Sequence, residues 1–185
     1  MCDPSRHDEQ RWPMALREIL TAPDPRLLVA CEKVAEVDDE IRTLMDDMLE
    51  TMYDAPGIGL AAIQVGVHKR VIVVDVAGEG EEPRPIKMAN PEILEDNGEL
   101  SIYQEGCLSV PDIYEEVERP AACVVGYLDE HNQPQTLKAE GLLATCIQHE
   151  IDHLNGILFI DHLSKLKKSM AVKKLTKRKK LQAAS

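Results

Sequence analysis

The residues with the most chemistry in this chain are Ile147-Gln148-His149-Glu150-Ile151-Asp152-His153. Two histidines four positions apart stand one helical turn apart on the same helix face, so both rings can turn toward one cation. Glu150, beside the first of them, is placed to handle the proton of a water held at that cation. The flanks separate this run from a chance match. Leu142 and Cys146 share the histidine face, and Leu143, Ile147, Ile151 and Leu154 form a second apolar stripe. A helix apolar around most of its circumference is a buried one. Two imidazoles and a carboxylate buried there need a partner, and an ion supplies one.

Two ligands do not hold a catalytic metal, so a third has to be found. In metzincin proteases a third histidine follows six residues after the second, but that position is Phe159. In thermolysin-like enzymes a downstream glutamate completes the site, and no glutamate follows Glu150. Asp161 is the one carboxylate beyond His153, which leaves the upstream chain as the better source. Cys146 is seven helical residues from His153, roughly 10 Å of rise, too far for atoms that must share one ion at bonds of about 2.0–2.3 Å. It reads as a small buried hydrophobe. Cys107 suits better, within Glu105-Gly106-Cys107-Leu108-Ser109-Val110-Pro111, where the glycine lets backbone approach a ligand closely.

Three ordered segments then carry a specific resemblance: Gly57-Ile58-Gly59-Leu60-Ala61-Ala62-Ile63-Gln64, Glu105-Gly106-Cys107-Leu108-Ser109 and His149-Glu150-Ile151-Asp152-His153. Together they resemble the three motifs of the peptide deformylases, and the resemblance runs from about Met14 to Lys180. It implies a metal held by Cys107, His149 and His153 with a fourth tetrahedral position open, the mark of a catalytic site. Glu150 is then the proton-transfer group, and the Gln64 amide with the Leu108 backbone N–H stabilises the oxyanion. The substrate implied is the N-formylmethionyl end of a new bacterial polypeptide, with release of formate. Gly57 and Gly59 are expected to receive the peptide as an added strand. Ile58, Tyr103, Leu142 and Cys146 are candidates for an apolar methionine pocket. Ferrous iron is the metal that the resemblance implies as native, with zinc, nickel or cobalt as substitutes.

Around these residues the chain reads as α+β: short-stranded, mainly antiparallel sheets packed around a central metal-binding helix, with a C-terminal helix. Asp38 is expected to cap a helix whose Ile41, Leu44, Met45, Met48, Leu49 and Met52 recur at helical spacing, and the methionines are expected in the core rather than in a groove. A short helix is predicted over Arg26–Lys33. Ala55–Gly59 breaks the first long helix and leads into a strand carrying Gln64. Val71–Val76 is a dense β-branched strand, followed by an acidic loop over Gly78–Pro85. Further strands are predicted around Ile86–Ala89, Ile93–Leu94, Leu100–Tyr103, Tyr114–Val117, Val124–Leu128 and Thr136–Lys138.

A length of 185 residues suits one domain with a real core. A flexible extension is expected over 1–13, including Cys2 and His7 as non-ligands, then a catalytic domain over 14–164 and a basic helix or tail over 165–185. Five cysteines form no paired framework, which suits a reducing compartment. No run approaches the roughly 20 apolar residues of a membrane span, and no targeting segment is evident, so a cytoplasmic location is expected. Charge is uneven: residues 165–180 carry +9 and the rest −21, for −12 overall. No DNA partner is expected. The basic helix suits ribosomal RNA, as resemblance to deformylases acting near the peptide exit tunnel implies, and Leu163, Leu166 and Met170 offer a stripe for docking it on the body. Two other function classes stay open: a metallopeptidase cutting internal amide bonds, and a non-catalytic module stabilised by zinc.

Overall fold

The computed structural model describes residues 15–183, so the N-terminal segment with Cys2 and His7 lies outside the described residues. Helix α1 (Asp39–Asp54) starts where Asp38 Oδ1 accepts the Ile41 N–H at 2.9 Å, and Asp39 and Glu40 complement the positive end of the helix. Its Met45, Met48 and Met52 are fully buried, so the methionine stripe is core.

That core lies against a five-stranded antiparallel sheet formed by β1 (Gly59–Ala61), β2 (Val71–Val74), β3 (Ile86–Asp96), β6 (Ala122–Leu128) and β7 (Pro134–Glu140), in the order β1-β2-β3-β6-β7. Strand β2 shows how the layers are arranged. All four of its residues are buried, and the pleat sends Val71 and Val73 into the α1 cluster and Ile72 and Val74 into the opposite one. The opposite cluster contains Ala144, Cys146, Ile147, Ile151 and Leu154 of α2 (Gly141–Leu154). The histidine helix is therefore packed across the sheet on the face away from α1.

A two-stranded antiparallel hairpin, β4 (Leu100–Cys107) and β5 (Val110–Pro120), covers the other side of α2. Its Val110, Ile113 and Val117 join Leu158, Phe159, Ile160 and Leu175 in a third cluster. Among the described residues no helix is long and apolar enough to cross a membrane.

Several expected elements differ. Arg26–Lys33 is not a helix: a 3-10 turn covers Pro25–Leu28, after which Cys31 N–H bonds to Leu154 O and Glu32 N–H to His68 O. Those long-range bonds hold the chain extended. Gln64 lies on a 3-10 turn, Ala62–Val65, rather than on a strand, and the turn is closed by Gly66 at φ +81. The pieces at Ile86–Ala89 and Ile93–Leu94 belong to one strand with irregular register around Pro91, a residue that cannot donate to the ladder.

Helix α3 (Lys165–Gln182) also docks differently from the expected stripe. Ala171 and Leu175 are buried and Leu163 is half-buried, whereas Leu166 is 72% and Met170 62% exposed. The docking face is selected by ion pairs flanking the apolar pair: Lys167 with Glu115, and Arg178 with Asp112, whose carbonyl also accepts from Lys174.

Gly156 ties the end of α2 to the segment after the first 3-10 turn. Its φ is +74, and a Cβ there would lie 2.6 Å from Leu28 O, a backbone atom that cannot swing aside. Gly156→Ala should therefore destabilise the fold by about 1–3 kcal/mol from the left-handed backbone alone, with the clash adding to it. Urea unfolding measures this, and an unchanged midpoint would contradict the packing described.

Candidate metal centre

The three donors come from two kinds of constraint. His149 and His153 are fixed by α2, which is clamped between sheet and hairpin; Cys107 ends β4, where the register slips between Glu105 and Cys107. Cys107 Sγ lies 3.2 Å from His153 Nε2, and the candidate ligand atoms of Cys107, His149 and His153 all fall within 4.8 Å of one another.

A network of buried charges aims the first ring. His149 Nδ1 lies 2.8 Å from Glu105 Oε2. With the carboxylate ionised, Nδ1 is the donor and Nε2 is left for a cation. Arg119 grips both oxygens of Glu105, through Nε to Oε1 and Nη2 to Oε2, and donates from Nη1 to Asp152 Oδ2 at 2.8 Å. His162 meets the same Asp152 oxygen at 2.7 Å. On the other side, the Phe159 ring stacks on His149 with centroids 6.0 Å apart. The position where a metzincin has its third histidine thus packs against the first one.

The two buried glutamates behave oppositely. Burial would push the Glu105 carboxyl up, but hydrogen bonds from His149 and Arg119 outweigh it and hold the pKa at about 2. Glu150 is 4% exposed, and burial raises its pKa to about 7 against the opposing pull of His149 and Arg119. Burial disfavours a charged His149, yet Cys107 and Glu105 raise its proton affinity well above the usual value. These surroundings call for positive charge at that ring.

A divalent cation fits this set. A thiolate and two imidazoles are donors suited to zinc or ferrous iron, and Glu150 Oε2 is buried without a hydrogen-bond partner among the described residues. Cys146 stands apart: its Sγ donates to Ile58 O at 3.4 Å, and burial raises its thiol pKa well above normal. Asp161 accepts from Leu158 N–H and pairs with Lys168, away from the ligand cluster.

Gln64 is held at both ends. Its Oε1 accepts the Ala61 N–H at 2.8 Å, and Nε2 donates to Ser109 Oγ at 3.0 Å with Cys107 Sγ 3.6 Å away. A cavity of about 420 Å³ opens beside the donors, with Cys107, His149, Glu150, Gln64 and Leu108 in its wall. Gly57, Ile58, Gly59, Tyr103, Leu142 and Cys146 line it as well, so every candidate substrate residue reaches one space. His153 is fully buried behind it.

Sequence reasoning left out Arg119, and gave Glu105 and Asp152 no role although both stand in motifs already singled out. Thr145, a lining residue of the cavity, was also left out. The position of Glu105, two residues before Cys107, was a usable signal for a carboxylate behind a ligand. Nothing marks Arg119 among the charges of Glu115-Glu116-Val117-Glu118-Arg119.

Gly59 sets the position of Glu150. A Cβ at Gly59 would lie 2.4 Å from Glu150 Oε1 and 2.8 Å from Cys146 Sγ. Gly59→Ala should keep the fold, judged by circular dichroism, while displacing the carboxylate and lowering turnover by about 100-fold, the usual contribution of one proton-transfer group. Full turnover would contradict this packing.

The profile of the polypeptide deformylase family matches residues 16–169. A peptide deformylase of Agrobacterium fabrum is 57% identical over 164 residues, covering 89% of this chain and 96% of that one. The peptide deformylase of Ehrlichia chaffeensis in complex with actinonin superposes with a TM-score of 0.85 at 46% identity, covering 89% of this chain and 98% of the other. A Met-Ala-Ser-bound peptide deformylase of Acinetobacter baumannii gives a TM-score of 0.77 at 34% identity, with coverages of 81% and 99%.

Proposed function

The chain belongs to the polypeptide deformylase family, and from that premise we propose how its cavity works on its substrate. The enzyme is a metal-dependent hydrolase that removes the formyl group from the N-formylmethionyl end of newly made polypeptides and releases formate. The observation that carries this is the convergence of Cys107, His149 and His153, their donor atoms within 4.8 Å, beside a cavity lined by Glu150, whose Oε2 has no hydrogen-bond partner among the described residues.

Cys107 Sγ, His149 Nε2 and His153 Nε2 would hold one divalent cation. When bound, that cation supplies Lewis acidity and brings the pKa of a water in its open position to about 7. Glu150 accepts the proton of the attacking water and passes it to the departing amine. Burial raises its affinity for a proton, which suits a group that takes one up and hands it on. Gln64 Nε2 and the Leu108 N–H stabilise the negative charge that gathers on the formyl oxygen, each donor typically worth about 2.7–4 kcal/mol. Glu105 and Arg119 keep the His149 ring from rotating. Gly57 and Gly59 line the cavity where the peptide backbone would lie, and Ile58, Tyr103, Leu142 and Cys146 surround the methionine side chain. The Met-Ala-Ser bound to the Acinetobacter baumannii relative supports a peptide in this cavity.

The native metal is ferrous iron in this proposal. Zinc, nickel and cobalt would also load, because intrinsic affinity does not favour iron and supply decides occupancy. The enzyme is placed in the cytoplasm, where its substrates emerge from the ribosome. Helix α3 supports ribosome docking: Lys165, Lys173, Lys177, Lys179 and Lys180 are exposed and have no ion-pair partner among the described residues.

Formate release from formyl-Met-Ala-Ser, set against cleavage of unformylated Met-Ala-Ser, tests the reaction. Formate should appear and the internal amides should stay intact. Glu150→Ala should bind metal yet lose about 100- to 10,000-fold in turnover; wild-type rates in that variant would remove the proton-transfer role. Deleting α3 would remove Ala171 and Leu175 and uncover the cluster they pack in, so its docking role is better tested by changing Lys173, Lys177 and Lys180 together to Glu. Ribosome co-sedimentation should weaken and become less salt-sensitive while short formyl-peptides turn over normally. Unchanged co-sedimentation would rule out this face.

A further inference from the structure

After α2 the chain forms a 3-10 turn over Phe159–His162, and the two end residues of that turn both bear on the His149 ring. Phe159 does so directly, its ring stacked on the imidazole with centroids 6.0 Å apart. His162 does so from a distance. Its Nε2 lies 2.7 Å from Asp152 Oδ2, and a carboxylate paired with arginine only accepts, so that nitrogen carries the proton. The same oxygen takes Arg119 Nη1 at 2.8 Å. Arg119 closes on both oxygens of Glu105, and Glu105 Oε2 accepts from His149 Nδ1. Exposure falls along this line: the His162 side chain is 37% exposed, Asp152 19%, and Arg119 and Glu105 5% each.

Asp152 is the member of the line with room to turn away, because its carboxylate borders solvent and Arg119 holds it by one bond. A water in place of His162 would satisfy the oxygen without fixing its direction. If Asp152 turned outward, the buried Arg119 Nη1 would lose its acceptor, a loss that falls in the interior. The fork on Glu105 would then no longer be held from behind, and the His149 ring would be free to rotate its Nε2 off the cation. We propose that His162 is a positioning residue: by fixing Asp152 it keeps Arg119 and Glu105 in place and so aims His149 at the metal, from outside the three segments that resemble the family's motifs. This role rests on the reading of Cys107, His149 and His153 as metal ligands.

The test uses the zinc-loaded enzyme and measures zinc release to EDTA, with urea unfolding as the check on the fold. A group hydrogen-bonded behind a metal ligand typically contributes 10- to 100-fold to metal affinity, and His162→Ala, at the far end of the line, should speed release by about tenfold. His162→Gln, which keeps a donor near the Nε2 position, should restore wild-type release. Once Asp152→Ala has cut the line, adding His162→Ala should change release no further. In NMR spectra of the zinc-loaded protein the His149 Nδ1–H proton should broaden in His162→Ala and stay sharp in His162→Gln. Asp161→Ala is the comparison, since it removes the bonds of the same turn to Leu158 and Lys168 without touching the line. Release in His162→Ala no faster than in the wild type, equal acceleration in Asp161→Ala, or a His162→Ala effect that persists beside Asp152→Ala overturns the proposal while the metal reading stands. A wild type that holds no zinc would overturn both.

Discussion

A carboxylate buried behind an imidazole is the interaction on which the rest of this structure depends. Glu105 accepts from His149 and is gripped in turn by Arg119, which also reaches Asp152. Removing one member of such a network leaves an uncompensated charge in the interior, a loss of about 3–5 kcal/mol for buried pairs. The network joins the hairpin to α2. It therefore fixes the distance between Cys107, at the end of β4, and the two rings on the helix.

The same burial that makes the network costly divides the labour among the acids. Glu105 has cationic partners and stays ionised, whereas Glu150 Oε2 has no hydrogen-bond partner among the described residues and burial pushes the group up to about 7. One carboxylate orients and the other exchanges protons, although they lie in one site. Gly59 completes this division, since only a residue without Cβ leaves Glu150 Oε1 its place.

Much of this was legible in the chain. The helical spacing of His149 and His153, the apolar flanks and the cysteine after a glycine were enough to assemble the donor set, because those features are local. The α1 stripe and the β-branched β2 run were legible for the same reason. What could not be seen depends on long-range bonds. Cys31 and Glu32 are held extended by Leu154 and His68, which no local propensity reveals. Gln64 turns on a 3-10 segment whose position depends on its own side-chain bonds to Ala61 and Ser109. On α3 the docking face carries Lys167, Lys174 and Arg178, which reach the β4–β5 hairpin, so Ala171 and Leu175 are buried and Leu166 and Met170 face outward. Arg119 was hidden because a charged residue in an acidic strand reads as solvated.

The central claim is that one cation sits among Cys107, His149 and His153 with a corner free of protein. Anomalous X-ray diffraction from crystals of the metal-loaded protein, collected above and below the metal's absorption edge, addresses it directly. The account predicts a single strong peak about 2.3 Å from Cys107 Sγ and about 2.0–2.1 Å from the Nε2 atoms of both histidines, with no fourth side chain bound. A peak elsewhere, or a fourth protein ligand closing the site, would contradict it.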